Sequence, residues 1–342
     1  MYNNCHTKSF VLSQGVKQGS LLSPYLYNFY TEDLLKQIKS MNIGTFIGDI
    51  NTSIIVYADD IILISPTLKS LQKLVDGCVK YGLDLGLKFN HQKTQLCTSG
   101  SCQIASPHLS MYDKKIVPKD RLEHLGFKWQ LKNNTLQLNF HKDMRLAEMW
   151  SVTSTLISAG VRNTHPKIIT NLFNTVVIPK LLYGMEILRL SSSDIAHLEA
   201  QARSSLKALL GVSKHSRNLV NRIFKIPEIG QLIEKRQMLL INQLLQNATL
   251  RKHLLYIASL NSVERSFSTL SFIFDRYISN DIDIVDGLLG KVDKFPIVYT
   301  KEPDNPEITL CKNHLENWHL LEHRLAFKSL LEERIQRGNL TE

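Results

Sequence analysis

Two adjacent carboxylates, Asp59 and Asp60, interrupt the otherwise apolar run "SIIVYADDIILIS" at residues 53–65. Carboxylate oxygens are hard ligands, and a pair of them on a rigid turn suits Mg²⁺, which keeps open positions for phosphate and water. Two such ions about 3.5–4 Å apart stabilise the attacking and leaving oxygens of a phosphoryl displacement, and that arrangement needs at least one further acid from elsewhere in the fold. An Asp-Asp pair is equally what a solvated hairpin turn contains, so alone it decides nothing. Gln18, between Lys17 and Gly19, offers a donor and acceptors for a base edge or a sugar. Gly15 and Gly19 permit close backbone approach to a ligand, although the same stretch also reads as an ordinary loop and cap. Lys93 follows an Asn-His turn and either reaches a phosphate or is a solvated lysine. Near the C-terminus Cys311, His314, His319 and His323 invite a zinc reading. A single cysteine where structural sites usually have two makes that reading poor.

These residues need rigid supports, and the sequence supplies candidates. The β-branched flanks of Asp59 and Asp60 read as hairpin strands covered on both faces. Upstream, Ser23-Pro24 predicts a helix start, with Tyr25, Leu26, Phe29, Tyr30, Leu34 and Ile38 at helical spacing. Ser65-Pro66 repeats the device before Leu68, Leu71, Leu74, Val75 and Cys78, a stripe that makes Cys78 a core residue. "GLKFNHQKTQL" (86–96) predicts strand, turn, strand, and "RLEHLGFKWQLKNNTLQLNF" (121–140) predicts two strands joined through Asn133-Asn134. From His141 to about residue 258 the period is helical. There Ile168, Ile169, Leu172, Phe173, Val176 and Val177 form one stripe, with a kink or helix end expected at Pro179.

The whole-chain properties narrow the class. With 342 residues, 43% hydrophobic and 21% charged, the chain is globular and long enough for two or three domains. A net charge of +10 and a pI near 9.3 favour a polyanionic partner. Between residues 203 and 236, Arg203, Lys207, Lys214, Arg217, Arg222, Lys225, Lys235 and Arg236 face only Glu228 and Glu234 in charge. That single-signed run is either a solvated face or a phosphate-tracking surface. Five cysteines without a CxxC pair indicate neither a disulfide framework nor a zinc ribbon. No signal-peptide pattern and no span-length apolar run is read, so the expected setting is intracellular, nuclear or cytoplasmic, without membrane.

The order "GVKQGSLLSPYLYN", "YADD", "GLKFNHQKT", "HLGF" resembles the palm of reverse transcriptases of the non-LTR, LINE-type retrotransposon group. "IPKLLYGMEIL" and "LEAQARSSLKALLG" are similar to that group's post-palm helices. The resemblance implies an α+β partial polymerase palm followed by an all-α, thumb-like region. It implies RNA-directed DNA polymerisation with RNA template, DNA primer, dNTP and Mg²⁺. Asp59 and Asp60 would be the metal-binding catalytic carboxylates. Gln18, Gly19 and Ser20 would contact template and nucleotide, and Lys93 would assist pyrophosphate departure. Leu125, Gly126 and Phe127 would grip the primer, and Arg203, Lys207, Lys214, Arg217 and Arg222 would hold the nucleic-acid backbone.

One departure from the family pattern is large. The family carries another aspartate upstream of the Gln-Gly loop, on a strand beside the YADD hairpin, whereas only ten residues precede Val11 here and none is acidic. The expectation is an N-terminally truncated fragment whose two-metal site lacks its third ligand and which is catalytically incomplete alone. The alternative is a non-catalytic RNA- or DNA-binding remnant of a retroelement. Expected domains are 1–139 (partial palm), 140–258 (basic helical thumb or connection) and 259–342 (mostly helical, role unassigned).

Overall fold

In the computed structural model the described residues are 15–99, 108–138, 141–216, 221, 223–252, 316 and 325. Arg217, Arg222, Cys311, His314, His319 and His323, and nearly all of 259–342, lie outside them. The chain divides into two compact units, Met1–Gln137 and Leu138–Glu342.

Unit 1 is α+β. Helix α1 (Ser23–Ser40) starts one residue earlier than the Ser-Pro signal implies. Ser23 is its first helical residue, not its cap, and its hydroxyl donates to the Lys17 carbonyl at 2.5 Å. Short strands β1 (Phe46–Ile47) and β2 (Ile50–Asn51) form a small hairpin, then β3 (Ile54–Tyr57) and β4 (Asp60–Leu63) form the one that carries the acids. Helix α2 (Leu68–Asp84) is capped by Thr67, whose hydroxyl accepts the Ser70 N–H at 3.2 Å, so Ser65-Pro66 lies outside the helix. Leu34 and Ile38 of α1, Ile54 of β3, and Leu74 and Cys78 of α2 form one buried cluster. Burial pushes the Cys78 thiol pKa up to about 12, which makes it an inert core group.

Two expectations fail in this unit for the same reason, a shortage of neighbours. The β3–β4 strands are not covered on both faces: Ile55 is 49% and Tyr57 64% exposed, because among the described residues this is a two-stranded sheet. Along α1 only the C-terminal half is packed, and Tyr25 (74%) and Phe29 (77%) stand in solvent. The buried face of α1 is instead Ser23, Thr31, Leu34 and Ile38, with Tyr27 half-buried between them.

Residues 86–96 do not form the predicted hairpin. They run as irregular chain, joined to β structure by a parallel bridge between Leu96 and Pro118 and by hydrogen bonds to Lys115 of β6 and Glu123 of β7. Three hairpins follow one design. β5 (Leu109–Met111) and β6 (Lys114–Ile116) turn through Tyr112-Asp113, β7 (Arg121–His124) and β8 (Phe127–Lys132) through Leu125-Gly126, and β8 and β9 (Thr135–Gln137) through Asn133-Asn134. All six turn residues have φ between 50° and 74°, the pattern of primed turns whose twist matches the strands. Residues 121–137 therefore make three strands, not two, because "LG" inside "HLGF" is itself a turn.

Unit 2 is helical in every described element. It contains α3 (His141–Ser158), α4 (Pro166–Leu172), a π-helical turn (Phe173–Val177), α5 (Ile178–Leu182), α6 (Ser192–Leu210) and α7 (Ile229–Gln246). The core centres on Met149, Phe173, Leu181, Met185, Leu198, Leu206 and Ile229, all under 2% exposed. Helix α6 opens with a capping box: the Ser191 hydroxyl accepts the Asp194 N–H, and the Asp194 carboxylate accepts the Ser191 N–H. Asp194 also takes the Lys142 ammonium, and these partners hold its carboxyl well below the usual range. Pro179 does not end the helix as expected. The wide turn ahead of it lets the chain continue to Leu182. The stretch Pro166–Ile187 is, contrary to the sequence reading, long and apolar enough to cross a membrane, but half of it is buried inside the protein as core.

Candidate active site

The acids sit where the hairpin register puts them. Tyr57 pairs with Asp60, so Ala58 and Asp59 alone make the connection, and Asp60 is the first residue of β4. Ala58 adopts φ +51°, a left-handed conformation that costs a residue with a Cβ about 1–2 kcal/mol. The strands above the turn hold that conformation in place: Ile54 through Val56 pair with Leu63 through Ile61, and Ile64 N–H donates to the Ser53 carbonyl at 2.8 Å. Both carboxylates are exposed.

Helix α1 lies along this hairpin, and the two lengths match. Ile38 and Ile54 share one buried cluster. From Ile38 back to Tyr27 the helix climbs about 16 Å, and from Ile54 to Asp59 the strand runs about 16 Å. Tyr27 thus arrives at the turn. Its phenol pKa is raised, first by burial and then by the negative charge of Asp59. Sequence reading missed Tyr27 because it followed the most apolar stripe. The signal was present in the 4-4-3-4 spacing of Ser23, Tyr27, Thr31, Leu34 and Ile38.

The remaining candidates are placed as follows. Gln18 and Gly19 form an exposed turn before α1, closed by Ser20 N–H to the Lys17 carbonyl at 3.2 Å, with Gly19 at φ +79°. Lys93 is exposed on a turn organised by Asn90, whose side-chain oxygen accepts the N–H groups of Gln92 (2.9 Å) and Lys93 (3.2 Å). Among the described residues no hydrogen bond or ion pair joins Gln18 or Lys93 to Asp59 or Asp60. Leu125 and Gly126 form the β7–β8 turn and Phe127 begins β8, with Leu125 held at φ +50°.

The carboxylate pair supplies hard oxygen ligands of the kind a divalent metal takes. Yet among the described residues no group of three or more His, Cys, Asp or Glu gathers to hold an ion. The paired acids suit part of a two-ion site.

In unit 2 the basic run divides. Lys214 is exposed. Arg203 is partly turned inward to Glu199 at 3.3 Å, and Glu199 in turn accepts the first N–H of α7, from Ile229, at 2.6 Å. Burial raises the Glu199 pKa against these favourable partners. Lys207 corrects the sequence reading: it is 7% exposed, and its ammonium donates to the carbonyls of Ser216 (2.6 Å) and Lys214 (3.1 Å). Burial and the nearby Arg203 lower its pKa. A lysine at i+4 from Arg203 looks solvent-facing in a helix read by charge alone, whereas here it closes the loop after α6. Lys207→Met is expected to cost about 1–3 kcal/mol by leaving two carbonyls unpaired. Urea denaturation would register that loss.

Comparison with known proteins adds three findings. Residues 1–129 match the family profile described as reverse transcriptase (RNA-dependent DNA polymerase). The chain is 38% identical over 87 residues to the retrovirus-related Pol polyprotein of the type-2 retrotransposable element R2DM of Drosophila melanogaster, covering 25% of this chain and 8% of that protein. It is 23% identical over 221 residues to the Pol polyprotein of the type-1 element R2 of Popillia japonica, covering 62% and 30%. It is 19% identical over 237 residues to the RNA-directed DNA polymerase of the mobile element jockey of Drosophila melanogaster, covering 65% and 25%. The chain spans at most 30% of the length of these curated relatives. No solved structure matches it significantly.

Proposed function

From the premise that residues 1–129 belong to the reverse transcriptase (RNA-dependent DNA polymerase) family, with non-LTR retrotransposon relatives, we propose that this chain is part of an RNA-directed DNA polymerase. Its partners are an RNA template, a DNA primer and dNTPs, and its place in the cell is the nucleus or cytoplasm. Unit 1 is a palm segment and the helical unit 2 is thumb-like. The observation that carries this reading is the β3–β4 hairpin. It presents Asp59 on a two-residue turn and Asp60 as the first residue of the strand after it, with the strained Ala58 held by paired apolar strands and Tyr27 near the Asp59 charge.

In the reaction the primer 3′-oxygen attacks the α-phosphorus of the dNTP, the bond from that phosphorus to the bridging oxygen breaks, and pyrophosphate leaves. Asp59 and Asp60 are the carboxylates this chain would contribute to a Mg²⁺ site, which would supply charge stabilisation at the attacking and leaving oxygens. Gln18, Gly19 and Ser20 face template and nucleotide, Lys93 accompanies the departing pyrophosphate, and Leu125 to Phe127 contact the primer. The thumb-like helices touch the backbone through Lys214 and, in part, Arg203.

A primer-extension assay tests this on the chain as given and on a version extended with the in-frame sequence encoded upstream. Activity is expected in the longer chain and is expected to vanish with Asp59→Ala. Extension that is absent from both chains, or indifferent to Asp59→Ala, would overturn the assignment. The second reading is a non-catalytic nucleic-acid-binding remnant, supported by the exposed Lys214 and the partly exposed Arg203. It predicts salt-sensitive binding that survives Asp59→Ala, with no extension in either chain.

A further inference from the structure

We propose that unit 1 carries its own nucleic-acid-backbone surface, a strip built from two co-running segments, residues 88–96 and 112–123, and separate from the basic run of unit 2. The two segments are laced together at successive points. Phe89 N–H donates to the Tyr112 hydroxyl at 3.1 Å, His91 Nε2 meets the Lys115 carbonyl at 3.2 Å, Lys119 N–H donates to the Leu96 carbonyl at 2.8 Å, and Glu123 N–H donates to the Gln95 side-chain oxygen at 3.0 Å. The single bridge between them, Leu96 to Pro118, is parallel, so the segments advance in the same direction. That lacing explains why residues 86–96 gave up the predicted hairpin.

Cations line both segments. Lys88 and Lys93 on one, and Lys114, Lys115, Lys119 and Arg121 on the other, are all exposed. None of the six forms an ion pair with a carboxylate among the described residues, although Asp113, Asp120 and Glu123 lie in the same stretch. The Lys88 ammonium sits 5.8 Å over the Tyr112 ring, so its direction is restricted. By contrast, in unit 2 Lys207 is consumed by carbonyls and Arg203 by Glu199. From Lys114 to Pro118 an extended chain runs about 13 Å. One strand of a duplex passes about four phosphates over that length. Spacing and sign together fit a phosphodiester backbone, and the identity of that polyanion as nucleic acid rests on the polymerase reading above.

The test is fluorescence anisotropy of the full chain with a labelled RNA–DNA duplex, in EDTA and without dNTP. Under those conditions the outcome does not depend on nucleotidyl transfer, which primer extension examines separately. The quadruple variant Lys88→Gln, Lys114→Gln, Lys115→Gln, Lys119→Gln is compared with an equal-charge control, Lys39→Gln, Lys69→Gln, Lys80→Gln, Lys167→Gln, at exposed helical lysines. If each of the four strip cations meets one phosphate, the affinity lost between about 50 and about 200 mM salt shrinks by about a hundredfold, and the log-log slope flattens by about 3.6. The control should keep the parent slope. A strip variant within about one unit of the parent slope, or an equal loss in the control, overturns the proposal. So does a parent chain that binds phosphatidylserine vesicles in place of the duplex. Should the quadruple variant fail to fold, Lys115→Gln and Lys119→Gln singly are each expected to flatten the slope by about 0.9, and no change in either defeats the strip.

Discussion

Gly44→Ala is expected to remove about 3 kcal/mol or more from unit 1, and with it the support of the acid-bearing hairpin. Gly44 adopts φ +99°, where a Cβ is strained regardless of space. There is no space either: the added carbon would overlap the Ser53 Cβ and approach the Ile64 carbonyl oxygen to 2.9 Å. Those two residues form the base of the hairpin through the Ile64 N–H to Ser53 carbonyl bond, and Ser53 is fully buried. A backbone oxygen cannot step aside as a flexible side chain would. Amide exchange at β3 and β4 should accelerate sharply and the urea midpoint of unit 1 should fall. A variant with native exchange at Ile55 and Ile62 would show that the hairpin base tolerates what the geometry forbids.

Phe173→Ala is expected to cost about 3–5 kcal/mol in unit 2, the range for deleting a buried aromatic ring from a packed core. Phe173 is 1% exposed and begins the π-helical turn. It also borders Glu199, Ala202 and Ile229, so the cavity opens where α6 meets the start of α7. Exchange should rise in α3, α6 and α7 while β3 and β4 keep their protection, since the two units have separate cores. A loss below about 1 kcal/mol would mean that the core collapses around the gap.

What could be read from the sequence followed the local signals. The hairpin bend at the paired acids and the core role of Cys78 come directly from β-branched flanks, turn chemistry and helical spacing. The 86–96 hairpin failed because the backbone there spends its hydrogen bonds on a distant segment, Tyr112 to Glu123, which no local window can see. The exposed Tyr25 and Phe29 defeat any argument from hydrophobicity, because burial depends on what lies opposite and α1 is packed only beyond Thr31. Lys207 shows the same limit for charge: sign is visible in sequence, but whether an ammonium faces solvent or a carbonyl is set by a loop nine residues later. At the candidate site, the position of the two acids at a hairpin bend was legible and the approach of Tyr27 to Asp59 was not, since it comes from two elements of matching length.

The wide turn at Phe173–Val177 works as a spacer that takes up one residue. A π-helical turn spends about one residue more than an α-helical turn on nearly the same rotation, so deleting one residue there would let the segment relax into a regular spiral while Ile178, Leu181, Leu182 and Met185 keep their inward phase. A frame-preserving loss of a single codon in this stretch should therefore be tolerated better than the same loss inside α6, where a rotation of about 100° per residue would turn the buried face toward solvent.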